Sequence, residues 1–462
     1  MNETPPSGSG EAEALGRELS DWRAWAARLV IIGFAVLSGL AVIGLTWLSE
    51  AALRAFFSLH TAQPWLVLIW TPALTTGIVW LTRSWAPGAA GSGIPQVLAA
   101  QHEAIEPGQR SRFVSLKLSV AKVLLTSGGL LAGLSTGREG PSVQVAAGVM
   151  HHARRWLPER SHINERGLLV AGGAAGVAAA FNTPLGGVMF AIEELSRRPE
   201  DRASGLLIAA IVIAGLVAVS AHGSGTYFGR IQVEAFGWGL LLPGLAVTLA
   251  CGLSGGLFSR LLSWSLSPGT DRFRRFRHAH PCWFAATCGL AVAVIGLVSS
   301  GSSFGSGYQV TRQMLEGQDA TQGLDTLLRF LTTWLSAICG VPGGIFAPSL
   351  TMGASIGHEV ASLTADPKPV LIAIGMAAFL AAVTQAPITA FIIVMEMVDG
   401  HAMVLSLMGA AMLAAALSRL IARPLYETLA RQMVATMAPK TTKAPALADA
   451  SADDAAEAVS RR

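Results

Sequence analysis

Long stretches with no Asp, Glu, Lys or Arg dominate this chain. They cover residues 29–49, 61–82, 168–192, 203–229, 235–259, 279–310, 330–358, 369–395 and 400–418. The first alone is long enough to cross a hydrocarbon core of about 30 Å. A soluble core cannot bury so many such stretches. In lipid every backbone N–H and C=O needs an internal partner, so these stretches call for helices. Charged residues make up 13% of the chain, roughly half the share of a soluble domain. The expected fold class is an all-α polytopic membrane protein.

The remaining charges lie mostly between the apolar stretches. Basic clusters at 154–160, 197–202 and 272–277, with Arg or Lys near both termini, place those loops and both termini on the cytoplasmic side by the positive-inside rule. The net charge of +4 therefore reflects loops, and no nucleic-acid partner is expected. Trp47, Trp65, Trp80, Trp85, Trp264 and Trp283 lie near segment ends, as in an interfacial belt. Cys251, Cys282, Cys288 and Cys339 show no metal-ligand spacing and read as small buried hydrophobes. The first 28 residues are polar and charged, unlike a cleavable signal peptide. Three parts follow: a cytoplasmic segment at 1–28 with an amphipathic helix from residue 11, a transmembrane body at 29–429, and a flexible cytoplasmic tail at 430–462.

Glycine interrupts the body repeatedly, as close helix packing and mid-membrane helix breaks require. The interruptions repeat. Gly137-Arg138-Glu139-Gly140-Pro141-Ser142 has a counterpart in Gly344-Ile345-Phe346-Ala347-Pro348-Ser349. Thr183-Pro184 with Glu193 is matched by Ala386-Pro387 with Glu396, each glutamate nine residues after its proline. A transporter built of two related halves binds its substrate where their broken helices meet.

Three segments share one construction, a glycine-rich turn, then proline, then an apolar run: Gly91-Ser92-Gly93-Ile94-Pro95, Gly137 to Pro141, and Gly343 to Pro348. Proline suits the first turn of a helix, and glycine lets backbone come close. Each segment reads as a helix N-terminus, whose partial positive charge and free N–H groups suit an anion. Several such ends aimed at one point bind an anion without a full positive charge, which lets it leave again.

The ordered set GSGIP, GREGP and GGIFAP, followed by Pro424-Leu425-Tyr426, resembles the CLC family of chloride channels and chloride/proton antiporters, in its prokaryotic form without a C-terminal regulatory domain. The resemblance spans about residues 29 to 429. It implies a homodimer, each subunit two inverted halves of tilted and broken helices with its own anion path. It also implies that Ser92, Tyr426 and the N–H groups of Ile345 and Phe346 hold the central anion. Gly91, Gly93, Pro95, Gly137, Arg138, Gly140, Pro141 and Gly344 form the helix ends around it. Glu139 is then the gating and proton-coupling glutamate. A carboxylate in an anion-binding turn competes with the anion when ionised and leaves when protonated, so proton and anion binding are coupled; the alternative is a first-turn glutamate favoured by the helix dipole or paired with Arg138. Glu194 is the inner proton glutamate, with Glu193 as second candidate; both close an apolar run before Arg197 and Arg198, which places them at the cytoplasmic mouth or in interfacial salt bridges. Lys122 either raises the local potential or snorkels.

The expected function is secondary exchange of chloride for protons in a bacterial inner membrane. The alternatives are a gated chloride channel of the same fold and, further off, a fluoride/proton antiporter. No catalytic triad, nucleotide site or cofactor motif is visible, so the chain is not expected to be an enzyme. Its expected partners are chloride, protons, lipid and a second copy.

Overall fold

Glycine and proline become helix starts and breaks in the computed structural model, which describes residues 22–158, 163–196, 205–222, 227–229, 238–318, 324–364 and 368–437. The described residues form eighteen α-helices with short 3-10 turns and a single isolated β-bridge. The first half holds α1 (Trp22–Ala62), α2 (Val67–Trp85), α3 (Ile94–Gln101), α4 (Leu116–Leu131), α5 (Glu139–His152), α6 (Glu165–Phe181), α7 (Pro184–Phe190) and α8 (Gly205–His222). The second holds α9 (Leu241–Leu266), α10 (Arg272–Ala279), α11 (Pro281–Val298), α12 (Tyr308–Leu315), α13 (Asp325–Ile338), α14 (Phe346–Thr364), α15 (Lys368–Thr384), α16 (Pro387–Met397) and α17 (Val404–Ile421), after which comes α18 (Leu425–Met437).

Six of these segments are long and apolar enough to cross a membrane. The longest, α1, has 41 residues and measures roughly 60 Å, about twice the thickness of a hydrocarbon core. Helices α5, α6, α14 and α15 form the centre, and nearly all their side chains are buried. Around them α1, α2, α8, α9, α11 and α17 turn outward residues such as Leu40, Ile69, Leu216, Leu253, Val294 and Leu405. Exposed leucines on that scale are what a lipid-facing surface requires. Trp47, Trp65, Trp80, Trp85, Trp264 and Trp283 all face outward as well.

The two halves match where the repeat places them. Asn182 ends α6 and Gln385 ends α15, both left-handed at φ 59°. Each is followed by a non-helical residue, Thr183 or Ala386, and then by the proline that opens α7 or α16. Asn adopts the left-handed conformation readily, and the residue before proline avoids the helical region, so each chain breaks there. The stretches 168–192 and 369–395 are thus two helices each, and 330–358 breaks between Ile338 and Phe346. Among the described residues the bridge joins the two halves directly: Gly137 N–H donates to Gly344 O and Gly344 N–H to Gly137 O, both at 2.7 Å.

Both outer boundaries differ from expectation. Helix α1 begins at Trp22, so the limit drawn at residue 28 falls inside a helix; residues 11–21 of the expected amphipathic helix lie outside the described ones. Helix α18 reaches Met437, eight residues into the tail expected at 430–462. Tyr426, Ala430 and Val434 recur at every fourth position and are buried, a periodicity that the polar composition further on obscures. Residues 438–462 lie outside the described ones.

The tightest contact at the centre is between α14 and α15. A Cβ on Gly353 would collide with Gly375 O, and one on Gly375 with Gly353 O. Gly375→Val should therefore destabilise the protein by about 1–3 kcal/mol through overpacking. The checking measurement is the melting midpoint in detergent, which should fall, whereas Gly77→Val, with open space around its Cβ position, should leave it nearly unchanged.

Candidate functional site

The three glycine-rich turns meet. Gly343 N–H donates to Gly91 O at 3.1 Å, joining the third turn to the first, and the Gly137–Gly344 bridge joins the second to the third. The contacts leave no room for side chains: a Cβ on Gly93 would lie 2.6 Å from Gly140 O, and one on Gly140 would collide with Ser92 Oγ. Glycine is needed here for close approach, with the left-handed Gly91 and Gly93 also turning the chain into α3. Pro95 and Pro141 then sit in the first turns of α3 and α5, where a missing N–H is harmless.

Polar side chains brace this knot from behind. Lys122 is fully buried on α4, and its ammonium donates to Ala89 O at 2.8 Å and Gly91 O at 2.6 Å. It does not snorkel; it holds the turn that presents Ser92. Gln144 donates to Gly88 O and Phe113 O, and Thr136 donates to Gly344 O. Gln96 accepts from Gly93 N–H at 2.9 Å, closing the start of α3.

Inside the knot lie the groups expected to face an anion. Ser92 Oγ and Tyr426 Oη are buried and make no hydrogen bond. Tyr426 reaches the site because α18 packs against α3, and its ring borders one cavity with Glu194 and Phe346. Ile345 and Phe346 open α14, where the first amides of a helix have no intrahelical partner. Two orphaned hydroxyls beside free amides are an incomplete polar shell, and buried polar atoms of that kind ordinarily find a partner. Phe346 is ringed by aromatics: Phe181 stacks on it at 6.0 Å, Phe190 meets it edge-on at 6.3 Å, and Tyr426 tilts against it at 6.0 Å.

Glu139 is the first residue of α5 and only 1% exposed. Its Oε2 accepts from Ala347 N–H at 3.4 Å, so this carboxylate points at the N-terminus of α14. The side chain fits because position 137 is glycine; a Cβ there would collide with Oε2. Arg138 turns the other way. Its guanidinium donates to Glu50 Oε1 at 2.9 Å, and to Thr46 O and Tyr227 Oη at 3.4 Å. The alternative Glu139–Arg138 pairing is thus replaced by one with a residue on α1, 88 positions away. Nothing in the local sequence marks Glu50 or Tyr227 for this role.

Glu193 and Glu194 lie in a π-helical turn, Ala191–Leu195, that continues α7 without a break. Such turns shift the side-chain phase within a helix and are frequent at functional sites. Glu194 is 2% exposed, not at an open mouth, and lines a small cavity with Phe190, Phe346, Thr384, Thr389 and Tyr426. Glu194 and Tyr426 thus border one space, and Thr389 Oγ1 beside it lacks a partner. Glu193 instead accepts from Ile388 N–H at 3.1 Å and Thr389 N–H at 2.7 Å at the start of α16. Arg197 and Arg198 lie outside the described residues.

This geometry has known relatives. A family profile described as voltage gated chloride channel matches residues 73–419. The H(+)/Cl(-) exchange transporter ClcA of Vibrio parahaemolyticus is 30% identical over 382 residues, 79% of this chain and 79% of that protein. The protein of the same name from Citrobacter koseri is 29% identical over 413 residues, 84% of each. Among solved structures, a slow cyanobacterial Cl-/H+ antiporter matches with a TM-score of 0.77 at 23% identity, over 90% of this chain and 99% of that one. A CLC-type fluoride/proton antiporter matches at 0.72 and 21%, over 89% and 99%. These two establish the fold: an all-α membrane body of two inverted halves with broken helices. With three quarters of its length matched and its glycine-rich turns meeting at one point, the chain belongs to the voltage gated chloride channel family, the CLC proteins.

Proposed function

We propose that the chain is a secondary transporter that exchanges chloride for protons across a bacterial inner membrane, with both termini cytoplasmic. The observation that carries this reading is the Glu139 carboxylate lying on the Ala347 N–H at the open end of α14. A negatively charged side chain occupies the place that free amides prepare for an anion. Ionised, it holds the site against chloride; protonated, it loses its claim and swings away, leaving the amides of Ile345 and Phe346 and the hydroxyls of Ser92 and Tyr426 to the ion. Proton and anion then compete through one residue, and the coupling runs both ways. The names of the relatives support the same pair of ions. Glu194 supplies the inner end of the proton route, since it borders the cavity that also reaches Phe346 and Tyr426. Chloride itself undergoes no bond chemistry, so the protein works as a transporter and needs no cofactor. The same reading includes a homodimer with one path per subunit.

Purified protein in vesicles under a proton gradient separates exchange from passive conduction. The zero-current potential of an exchanger moves away from the chloride equilibrium potential; that of a channel stays on it. Glu139→Gln should lower proton flux by about 10²-fold, the scale of a lost positioned proton carrier, while chloride still crosses. Uphill proton pumping that survives in Glu139→Gln would remove this residue from the mechanism.

The binding site has its own test. Bromide should give anomalous density between Ser92 Oγ, Tyr426 Oη and the amides of Ile345 and Phe346. Ser92→Ala should weaken chloride binding measured by titration calorimetry about tenfold, as expected for one lost hydrogen bond to a charged partner. Density confined to places remote from these groups would relocate the site.

A further inference from the structure

The two glutamates that follow Pro184 and Pro387 do more than occupy equivalent positions; each closes the other's half. Glu193, at the end of α7, accepts from Ile388 N–H at 3.1 Å and Thr389 N–H at 2.7 Å, the second and third residues of α16. Glu396, at the end of α16, accepts from Leu185 N–H at 3.2 Å and Gly186 N–H at 2.7 Å, the second and third residues of α7. The four bonds form a reciprocal clamp with the symmetry of the repeat. The helices themselves are pressed together: a Cβ on Gly186 would lie 2.7 Å from the Ile393 side chain.

Each carboxylate bridges two consecutive backbone donors at a helix N-terminus, where both charge-assisted bonding and the helix dipole favour an anion. A carboxylate also accepts through either oxygen. A glutamine in its place offers one accepting oxygen and turns an NH2 group towards the second N–H. The clamp therefore depends on the charge of both residues.

Glu194 follows Glu193 directly in the π-turn, so the bonds that fix Glu193 also fix the backbone that aims Glu194 into its cavity. The far side of that cavity is formed by Thr384, Ala386, Thr389 and Ala390, around the junction of α15 and α16. Thr389 is itself a clamp residue. Both walls of the space between Glu194 and Tyr426 are thus set by how α7 and α16 are held against each other.

We propose that Glu396 is a positioning residue for proton transfer: it touches neither the anion site nor the proton cavity, and it acts by clamping α7 so that Glu194 keeps its orientation. This inference rests on the proposed exchange of chloride for protons. Glu193, once a second candidate for carrying protons, belongs to the same clamp.

The test compares proton and chloride fluxes of the full-length protein in vesicles. Wild type is measured first: an absence of proton coupling there would refute exchange itself, before the clamp is in question. Given coupling in wild type, Glu396→Gln should lower proton flux about tenfold, the factor that about 1.4 kcal/mol makes in an equilibrium, while chloride flux stays within about twofold. Glu193→Gln should do the same from the other half, and the double variant should be no worse than the weaker single one, because the four bonds work as a set. A proton-to-chloride ratio unchanged in Glu396→Gln overturns the proposal. So does a parallel fall of both fluxes, which marks a merely structural residue. Should Glu396→Gln fail to fold, Glu396→Asp, which keeps the charge on a shorter arm, is read the same way: a lowered ratio supports the clamp and an unchanged ratio overturns it.

Discussion

Two hydrogen bonds between Gly137 and Gly344, equal in length and opposite in direction, hold the rest of the site in register. They tie the second glycine-rich turn to the third, and therefore the start of α5 to the start of α14. The placement of Glu139, and through the third turn that of Ser92, depends on that junction. Glu139 reaches the amide end of α14 because the two helices begin side by side. Ser92 meets them because the first turn is bonded in turn to Gly343. Neither glycine could carry a side chain: a Cβ on Gly137 would strike the Glu139 carboxylate, and one on Gly344 would lie 3.0 Å from Gly140 N.

The cationic side chains near the site are held by the protein's own groups. Lys122 is engaged by two carbonyl oxygens, and Arg138 by Glu50, a carbonyl and a tyrosine hydroxyl. On the proposed function, an ion at the centre would meet amides and hydroxyls instead of a bare cation, an arrangement suited both to binding and to release. Not every helix end in the core is open to anions. The N-termini of α7 and α16 begin with proline just as invitingly, yet Glu396 and Glu193 occupy their first free amides. The protein closes two such ends with its own carboxylates, and Glu139 reaches the start of α14.

Much of this was legible in the sequence because it depends on short-range rules. Glycine before proline marks a helix start wherever it occurs, and the repeat of those marks revealed two halves. The length and number of the charge-free stretches pointed to the membrane. What stayed hidden depends on pairs far apart in the chain. Arg138 finds Glu50 across 88 residues, and Glu193 finds Thr389 across 196. A charge beside an arginine cluster looks like a surface salt bridge, so Glu194 looked like a mouth residue; the π-turn that rotates it inward leaves no local signature. Helix breaks inside 168–192 and 369–395 were partly hidden for a different reason. Apolar composition persists across Asn182 and Gln385; the prolines that follow mark the breaks, but the left-handed residues that end the first helices carry no apolar or charge signal.

On the proposed function, the aromatic collar around Phe346 bears on which ions would pass. Phe181, Phe190 and Phe346 have no hydrogen-bonding atoms on their rings, and Tyr426 has one. An anion moving past them must give up water that these rings cannot replace. The ease of dehydration then ranks the travellers: large, weakly hydrated ions shed their shell readily, and small, tightly hydrated ones hold on to it. On the proposed function, the collar makes hydration strength, alongside charge, a determinant of what the protein would carry.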